Sequence, residues 1–174
     1  FFPPDPASAQ WSTIGGNIAT NAGGLRCIAH GVTTDVVAAL EIVLADGRVM
    51  RTGARTRKNT TGYDLTSLFT GSEGTLGVIT AATVRLKPVP PGKPRTFRAS
   101  FDDIEEAGRA VTAIVSGPAA PEVLELIDAR SVEIIEAFHP SGLPSPGAAM
   151  LVGQTVGLAA KETAEAIAQI CRRH

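Results

Sequence analysis

The sequence has 174 residues and a formal net charge of -1, with 16 basic and 17 acidic side chains, which excludes the strongly basic surface that nucleic acids require. Hydrophobic residues make up 44% of the chain and aromatic residues only 5%, so the core of a globular protein must be built mainly from Ala, Val, Leu and Ile. No apolar stretch is long enough to predict a membrane-spanning helix. The two cysteines, Cys27 and Cys171, lie far apart and are predicted to be reduced thiols of a cytoplasmic protein.

The first part of the chain predicts a hairpin, a short helix and a further strand. Residues 36–44 are apolar and strand-like, Asp46 and Gly47 form a two-residue turn signal, and the return strand begins at residue 49. Residues 63–69 are typical of a short helix that Asp64 caps. A strand is predicted over residues 76–86.

A proline-rich segment divides the chain. Residues 87–94 contain four prolines, which can neither pair in a sheet nor continue a helix. This segment is the predicted linker, and it separates a domain over residues 1–93 from a second domain over residues 94–174. We also expect the chain to be an internal piece of a longer protein, because it opens without Met and stops inside a predicted helix.

Strands and helices alternate after the linker, which favours a sheet with one face covered by helices. Asp102 is the predicted cap of a helix whose Ile104, Ala107, Val111 and Ile114 recur at helical spacing. The remaining predicted elements are strands over residues 96–101, 123–127 and 148–154, helices over residues 129–138 and 161–171, and a loop over residues 140–146.

Two glycine-rich segments are the candidates for chemistry. The first, residues 13–24, contains the pairs Gly15-Gly16 and Gly23-Gly24, which we expect to allow positive φ and to let backbone N–H groups converge on an anion. Asn17, Thr20 and Asn21 would add neutral hydrogen bonds. The second segment, residues 71–80, runs directly from a glycine-rich loop into a strand, and would place backbone groups beside a flat ligand.

These glycine clusters have a simpler interpretation as tight turns. Neither matches the G-x-G-x-x-G dinucleotide pattern, and no segment has the lysine of a phosphate-binding P-loop. Residue types alone therefore leave open both a ligand site and a set of structural turns.

Five short motifs, taken together, resemble one family. They are PPDP at residues 3–6, TIGGN at 13–17, NAGG at 21–24, TGYDL at 61–65 and GSEGTLGVIT at 71–80. Their order and spacing are similar to those of the FAD-linked oxidases related to vanillyl-alcohol oxidase and p-cresol methylhydroxylase. The resemblance is greatest to the branch that contains the D-type component of glycolate oxidase and the D-lactate and D-2-hydroxyglutarate dehydrogenases.

The resemblance implies an α+β fold: the second subdomain of a PCMH-type FAD-binding domain, followed by the start of a ferredoxin-like α/β cap domain. It places a set of residues around FAD, with the diphosphate and isoalloxazine near the first segment and the ribityl and adenine groups near the second. These residues are Pro4, Ile14, Gly15, Gly16, Asn17, Thr20, Asn21, Gly23, Gly24, Gly74, Gly77, Val78 and Ile79. It places the catalytic groups and metal ligands outside this chain.

The function implied by the resemblance is oxidation of a D-2-hydroxy acid, such as glycolate or D-lactate, by hydride transfer to FAD. The implied partners are this small substrate and an unidentified electron acceptor, with either a homodimer or a subunit of an oxidase complex as the assembly. The alternative is a non-catalytic binding or assembly module that keeps the scaffold without FAD. Retained glycines argue against it, since they weaken strands without a ligand to accommodate.

Other polar residues have structural interpretations. His30, His139 and His174 are too scattered to predict a metal site. His30 is expected to pack or to lie at the surface, Glu73 to order its own turn rather than act as a base, and residues 55–58 to form a solvated basic loop.

Overall fold

The computed structural model describes residues 1–56, 58–140, 142 and 147–174, and the chain within them divides into two compact units. The first unit is Phe1–Val89 and the second is Pro90–His174. The boundary falls inside the proline-rich segment 87–94. Each unit has its own three-stranded sheet and its own hydrophobic cluster.

The first unit consists of one antiparallel sheet with short helices. Its elements are α1 (Ile14–Thr20), α2 (Cys27–His30), α3 (Thr33–Val36), β1 (Val37–Val43), β2 (Val49–Gly53), α4 (Leu65–Phe69) and β3 (Val78–Val84). The strand order is β2-β1-β3, so the hairpin predicted from the Asp46-Gly47 turn is present and β1 is the central strand.

Helices α1 and α4 supply the side chains that cover one face of this sheet. Ile18 of α1 and Phe69 of α4 are buried against Leu40 and Ile42 of β1. Gly77 lies just before β3, where an added Cβ would be 2.8 Å from both Ile42 Cγ2 and the Val43 carbonyl oxygen. A glycine at this position therefore lets the loop enter the sheet directly above the core.

The second unit has an antiparallel sheet of order β4-β6-β5. Its elements are β4 (Arg95–Phe101), α5 (Ile104–Ser116), β5 (Val123–Asp128), α6 (Ala129–Phe138), β6 (Ala149–Thr155) and α7 (Ala160–Cys171). Phe101 of β4 and Leu151 of β6 are buried with Ala107 and Ile114 of α5 and Ile167 of α7. Two helices thus cover one sheet face, as the alternation of elements predicted.

These observations confirm the α+β fold class, with three corrections. The first glycine-rich segment contains helix α1, which the sequence interpretation missed. Asp103 caps α5, not Asp102, because its side chain accepts the Glu105 N–H at 2.9 Å. The predicted loop 140–146 lies largely outside the described residues. None of the helices in the described part of the chain is long and apolar enough to span a membrane.

The core of the second unit gives a stability prediction. Ile114 is fully buried on α5, whereas Val115 on the same helix is 58% exposed. Ile114→Ala should lower the free energy of unfolding by about 2–5 kcal/mol, because it deletes buried methyl groups and leaves a cavity. Val115→Ala should change it by less than about 0.5 kcal/mol. Urea denaturation measures both, and equal losses would contradict the packing described.

Candidate functional site

Helix α1 begins within the first glycine-rich segment. Thr13 is its N-cap: the Thr13 hydroxyl accepts the Gly16 N–H at 3.0 Å and the Thr13 carbonyl accepts the Asn17 N–H at 2.9 Å. Gly15 and Gly16 are helical and neither has positive φ, so that part of the sequence expectation was wrong. Thr before a helical turn is a known capping signal, which the adjacent glycines obscured.

The end of α1 is a Schellman motif around Asn21. Asn21 has φ of 49° and ψ of 50°, in the left-handed region, and the Ala22 N–H donates to the Asn17 carbonyl at 2.8 Å. The Asn21 N–H donates to the Ile18 carbonyl at 3.3 Å. Asn tolerates this backbone conformation better than most residues because its short polar side chain can hydrogen-bond locally.

The second glycine-rich segment contacts the end of the same helix. The Gly71 N–H donates to the Ile18 carbonyl at 2.9 Å, and the Glu73 N–H donates to the Ala19 carbonyl at 2.9 Å. The last carbonyl groups of a helix have no partner within the helix, and here amides of a loop distant in sequence satisfy two of them. The fold therefore brings the two predicted segments into direct contact.

Pro4, Gly23 and Gly24 lie on the other flank of the first segment. A Cβ at Gly24 would overlap the carbonyl oxygens of Pro4 and Asp5, so only glycine allows this approach of two backbones. Pro4 is buried, and Asp5 is held by an ion pair of 3.0 Å with Arg26. Pro4 and Gly24 thus contact each other.

Backbone strain is concentrated around these segments. In the described part of the chain, the non-glycine residues with positive φ are Asp5, Asn21 and Glu73, at 46°, 49° and 50°. Residues held in this region cost free energy and cluster at functional sites. Glu73 is exposed in its turn, and its amide serves the contact with α1.

An exposed surface surrounds the contact of the two segments. A Cβ at Gly15 or at Gly74 would meet nothing within 4 Å. Ile14 is 45% exposed and Val78 64% exposed. In the described chain, the N–H groups of Ile14 and Gly15 have no hydrogen-bond partner. The surface thus combines open glycine backbone, unpaired amides and apolar side chains.

The remaining predicted residues differ in their accessibility. Thr20 is exposed, but its hydroxyl donates to the Gly16 carbonyl at 3.0 Å. Asn17 is 5% exposed. Ile79 packs on the core of the first unit, so its side chain does not join the apolar surface, and only its backbone could face a ligand. Ser72, which the sequence interpretation passed over, has a buried hydroxyl with no partner in the described chain.

A cleft of about 350 Å³ in the first unit contains none of the predicted cofactor-binding residues. Its lining includes Thr34, Asp35, Tyr63, Asp64 and Arg85. The unpaired amides, open glycines and strained residues all lie elsewhere, so we identify the candidate site with the surface around the two glycine-rich segments. The Tyr63 side chain is 94% exposed.

Ionisable groups near the site serve structural roles. His30 is half-buried, with Nδ1 2.8 Å from Lys87 Nζ. Asp64 caps α4: the Ser67 hydroxyl donates to Asp64 Oδ2 at 2.6 Å and lowers the pKa of Asp64 below its ordinary value, with a further contribution from the Ser67 N–H. In the described chain, no group of three His, Cys, Asp or Glu side chains could hold a metal ion.

Two protein families match the chain in sequence. The family described as "FAD binding domain" matches residues 1–53, and the family described as "FAD linked oxidases, C-terminal domain" matches residues 91–174. Both descriptions name FAD, the cofactor inferred from the motifs.

Curated relatives agree. Glycolate oxidase subunit GlcD of Bacillus subtilis is 43% identical over 99% of this chain and 37% of its own length. D-lactate dehydrogenase of Archaeoglobus fulgidus is 46% identical over 78% of this chain and 30% of its own length. Mitochondrial D-2-hydroxyglutarate dehydrogenase of Bos taurus is 53% identical over 51% of this chain and 15% of its own length. The chain therefore spans about a third or less of these relatives.

A solved structure has the same fold. Alkyldihydroxyacetonephosphate synthase superposes with a TM-score of 0.78 over 99% of this chain and 34% of its own, at 21% sequence identity. These comparisons confirm the resemblance inferred from the five motifs.

The cap of α4 gives a titration prediction. Ser67→Ala should raise the pKa of Asp64 in an NMR titration, because it removes the largest cause of the lowered value. Ser131→Ala is the matched control in the second unit, where the backbone N–H of residue 131 is the larger cause of the lowered pKa of Asp128 and remains in the variant. The shift at Asp128 should therefore be smaller, and the opposite order would contradict this assignment.

The lowered pKa also sets the direction of the pH dependence. Asp64 contributes stability above the pKa of the unfolded chain, about 3.9, and loses that contribution as the pH falls through its lower folded value. Acid unfolding of Ser67→Ala should therefore begin at a higher pH than that of the unsubstituted protein. An unchanged acid midpoint would show that the cap adds nothing to stability.

Proposed function

Because the chain belongs to the FAD-linked oxidases, we propose that it forms one side of the FAD site and the beginning of the substrate-side domain of an enzyme that oxidises a D-2-hydroxy acid. The first unit is the C-terminal part of the FAD-binding domain, and the second unit is the N-terminal part of the cap domain. The observation that supports the cofactor site best is the contact between the two glycine-rich segments, which exposes unpaired backbone amides beside apolar side chains.

The residues at this surface fit FAD. A diphosphate needs hydrogen-bond donors, and the free amides of Ile14 and Gly15 provide them without a basic side chain. A flat ring needs close approach to backbone and an apolar contact, which open Gly74 and exposed Val78 provide. The buried, unpartnered hydroxyl of Ser72 is a further group that a ligand or a neighbouring segment could satisfy.

The role of this chain in the reaction is binding and orientation. FAD supplies the hydride acceptor when it is bound. Ile14 and Gly15 would hold an anionic group by their N–H donors, while Gly74 and Val78 would form one wall of the ring site and exclude water from it. The other predicted residues are proposed to shape these segments: Pro4 with Gly24 on one flank, and Asn17 and Gly77 on the core side.

The proposed substrate class comes from the names of the relatives. Glycolate, D-lactate and D-2-hydroxyglutarate each carry a hydroxyl on the carbon next to a carboxylate, and hydride removal takes place at this carbon. The base that accepts the hydroxyl proton is proposed to lie outside this chain, so the chain alone should be inactive. One relative is named as an oxidase subunit, which supports assembly into a complex, and the free Cys27 and Cys171 support a cytoplasmic location.

The reaction is tested with the full-length protein that contains this chain. The protein should purify with flavin absorption, and anaerobic addition of glycolate, D-lactate or D-2-hydroxyglutarate should bleach it, with L-lactate as the control. The expected discrimination between the two lactate enantiomers is at least about a hundredfold in the rate of bleaching. A colourless protein that takes up no FAD would sink the proposal and favour the non-catalytic module.

The binding surface is tested by a valine at an open glycine. Gly15→Val should weaken FAD binding at least tenfold, about 1.4 kcal/mol, because the branched side chain enters the space above the free amides. The apo protein should stay folded, since an added Cβ at residue 15 has no protein neighbour within 4 Å. Gly108→Val on α5 is the matched control, being another helical glycine with open space around it. It should bind FAD normally; equal losses in the two variants would contradict this placement.

A further inference from the structure

We propose that Asn21 is a positioning residue of the FAD site and not a ligand of the cofactor: it holds the two glycine-rich segments and the first turn of α3 in one arrangement. This inference rests on the proposed function, and it changes the role that the family resemblance implies for Asn21. Three contacts of this residue carry it.

The first contact is made by its side chain. Asn21 Oδ1 accepts the Thr34 N–H at 2.9 Å, in the first turn of α3. The neighbouring Thr33 is fully buried, and its hydroxyl donates to the Ala22 carbonyl at 2.6 Å. The carbonyl end of the Asn21 amide is therefore committed to protein backbone. It links the end of α1 to the segment that leads into the central strand β1.

The second contact is made by its backbone. The left-handed conformation of Asn21 ends α1 and turns the chain toward α3, while the Ile18 carbonyl remains open to the Gly71 N–H. A residue that disfavours this conformation would move Ala22 and the following glycines. Asn, Asp and Gly accept it with little strain, whereas Ala does not.

The third contact explains Gly71. A Cβ added at Gly71 would lie 2.9 Å from Asn21 Cβ, closer than two carbon atoms normally approach, and Gly71 has φ of +83°. The loop can hydrogen-bond to α1 only because residue 71 has no side chain opposite Asn21. Gly71 and Asn21 should therefore be energetically coupled.

The role of Asn21 is distinguished by comparing Asn21→Ala with Asn21→Asp in the full-length protein. Asn21→Asp keeps a left-handed residue and an acceptor for the Thr34 N–H, so its FAD dissociation constant should stay within about threefold of the unsubstituted protein. Asn21→Ala loses both features and should weaken FAD binding by about tenfold or more. If Asn21 were a ligand of the diphosphate, the order would reverse, because the carboxylate of Asp would repel the phosphates.

A second readout needs no cofactor. Asn21→Ala should lower the melting temperature of the apo protein by about 2 °C or more, because the lost contacts lie within the protein. A direct ligand would leave the apo melting temperature unchanged when replaced. An unchanged value for Asn21→Ala would therefore overturn the inference.

The coupling to Gly71 is tested by a double-mutant cycle on the apo protein. Gly71→Ala should lower the melting temperature more in the unsubstituted protein than in an Asn21→Gly background, where the opposing Cβ is gone. Gly47→Ala is the matched control: Gly47 has φ of +84°, but an added Cβ meets nothing within 4 Å. Its loss should be the same in both backgrounds.

Equal losses for Gly71→Ala in the two backgrounds would refute the contact. If the unsubstituted full-length protein binds no FAD, the proposed function fails, whereas the apo cycle still decides whether Asn21 positions the two segments.

Discussion

The C-terminal end of α1 is the constraint on which the first unit depends. A seven-residue helix has too few internal hydrogen bonds to be stable alone, and its last carbonyl groups need donors. Here the donors come from Gly71 and Glu73, far along the chain. The same two hydrogen bonds thus satisfy the helix, anchor the loop that leads into β3, and place both glycine-rich segments at one surface.

This arrangement explains how glycine is used at the site. Gly24 and Gly77 allow close approach of protein backbone, to Pro4 and Asp5 in one case and to Ile42 and Val43 in the other. Gly15 and Gly74 have no such neighbour. The first pair therefore has a structural reason to be glycine, whereas the second pair leaves exposed backbone that a ligand could approach. The candidate site consists of the glycines whose lack of a side chain the protein itself does not require.

The second unit is organised differently. Its central strand β6 pairs with both neighbours over its whole length, and Gly153 within it sits against the Phe97 ring. Long helices α5 and α7 bury an alanine-rich face on this sheet. This agrees with a composition poor in aromatic residues, because small side chains allow helix and sheet to pack closely. The unit has the regular, self-contained core expected of a domain that supports a site formed with other segments.

The sequence alone determined the family, the fold class and most of the elements. The hairpin at Asp46-Gly47, the cap at Asp64 and the helical spacing of Ala107 and Ile114 are local signals, because turn chemistry and periodicity act over a few residues. The five motifs likewise identified the flavin-binding scaffold from short, ordered stretches. Local rules were misled at residues 13–20, where adjacent glycines suggested turns and the Thr13 cap was overlooked.

Only the tertiary structure decided which predicted residues face solvent and which face protein. Pro4, Asn17 and Gly77 belong to the same motifs as Gly15 and Gly74, yet they are buried or lie against other backbone. No local pattern distinguishes them, because the difference arises from contacts between residues 4 and 24 or 18 and 71. The partner of Asn21 was equally hidden from the sequence. Whether a polar side chain binds a ligand or its own protein depends on which distant backbone groups the fold brings within hydrogen-bond distance.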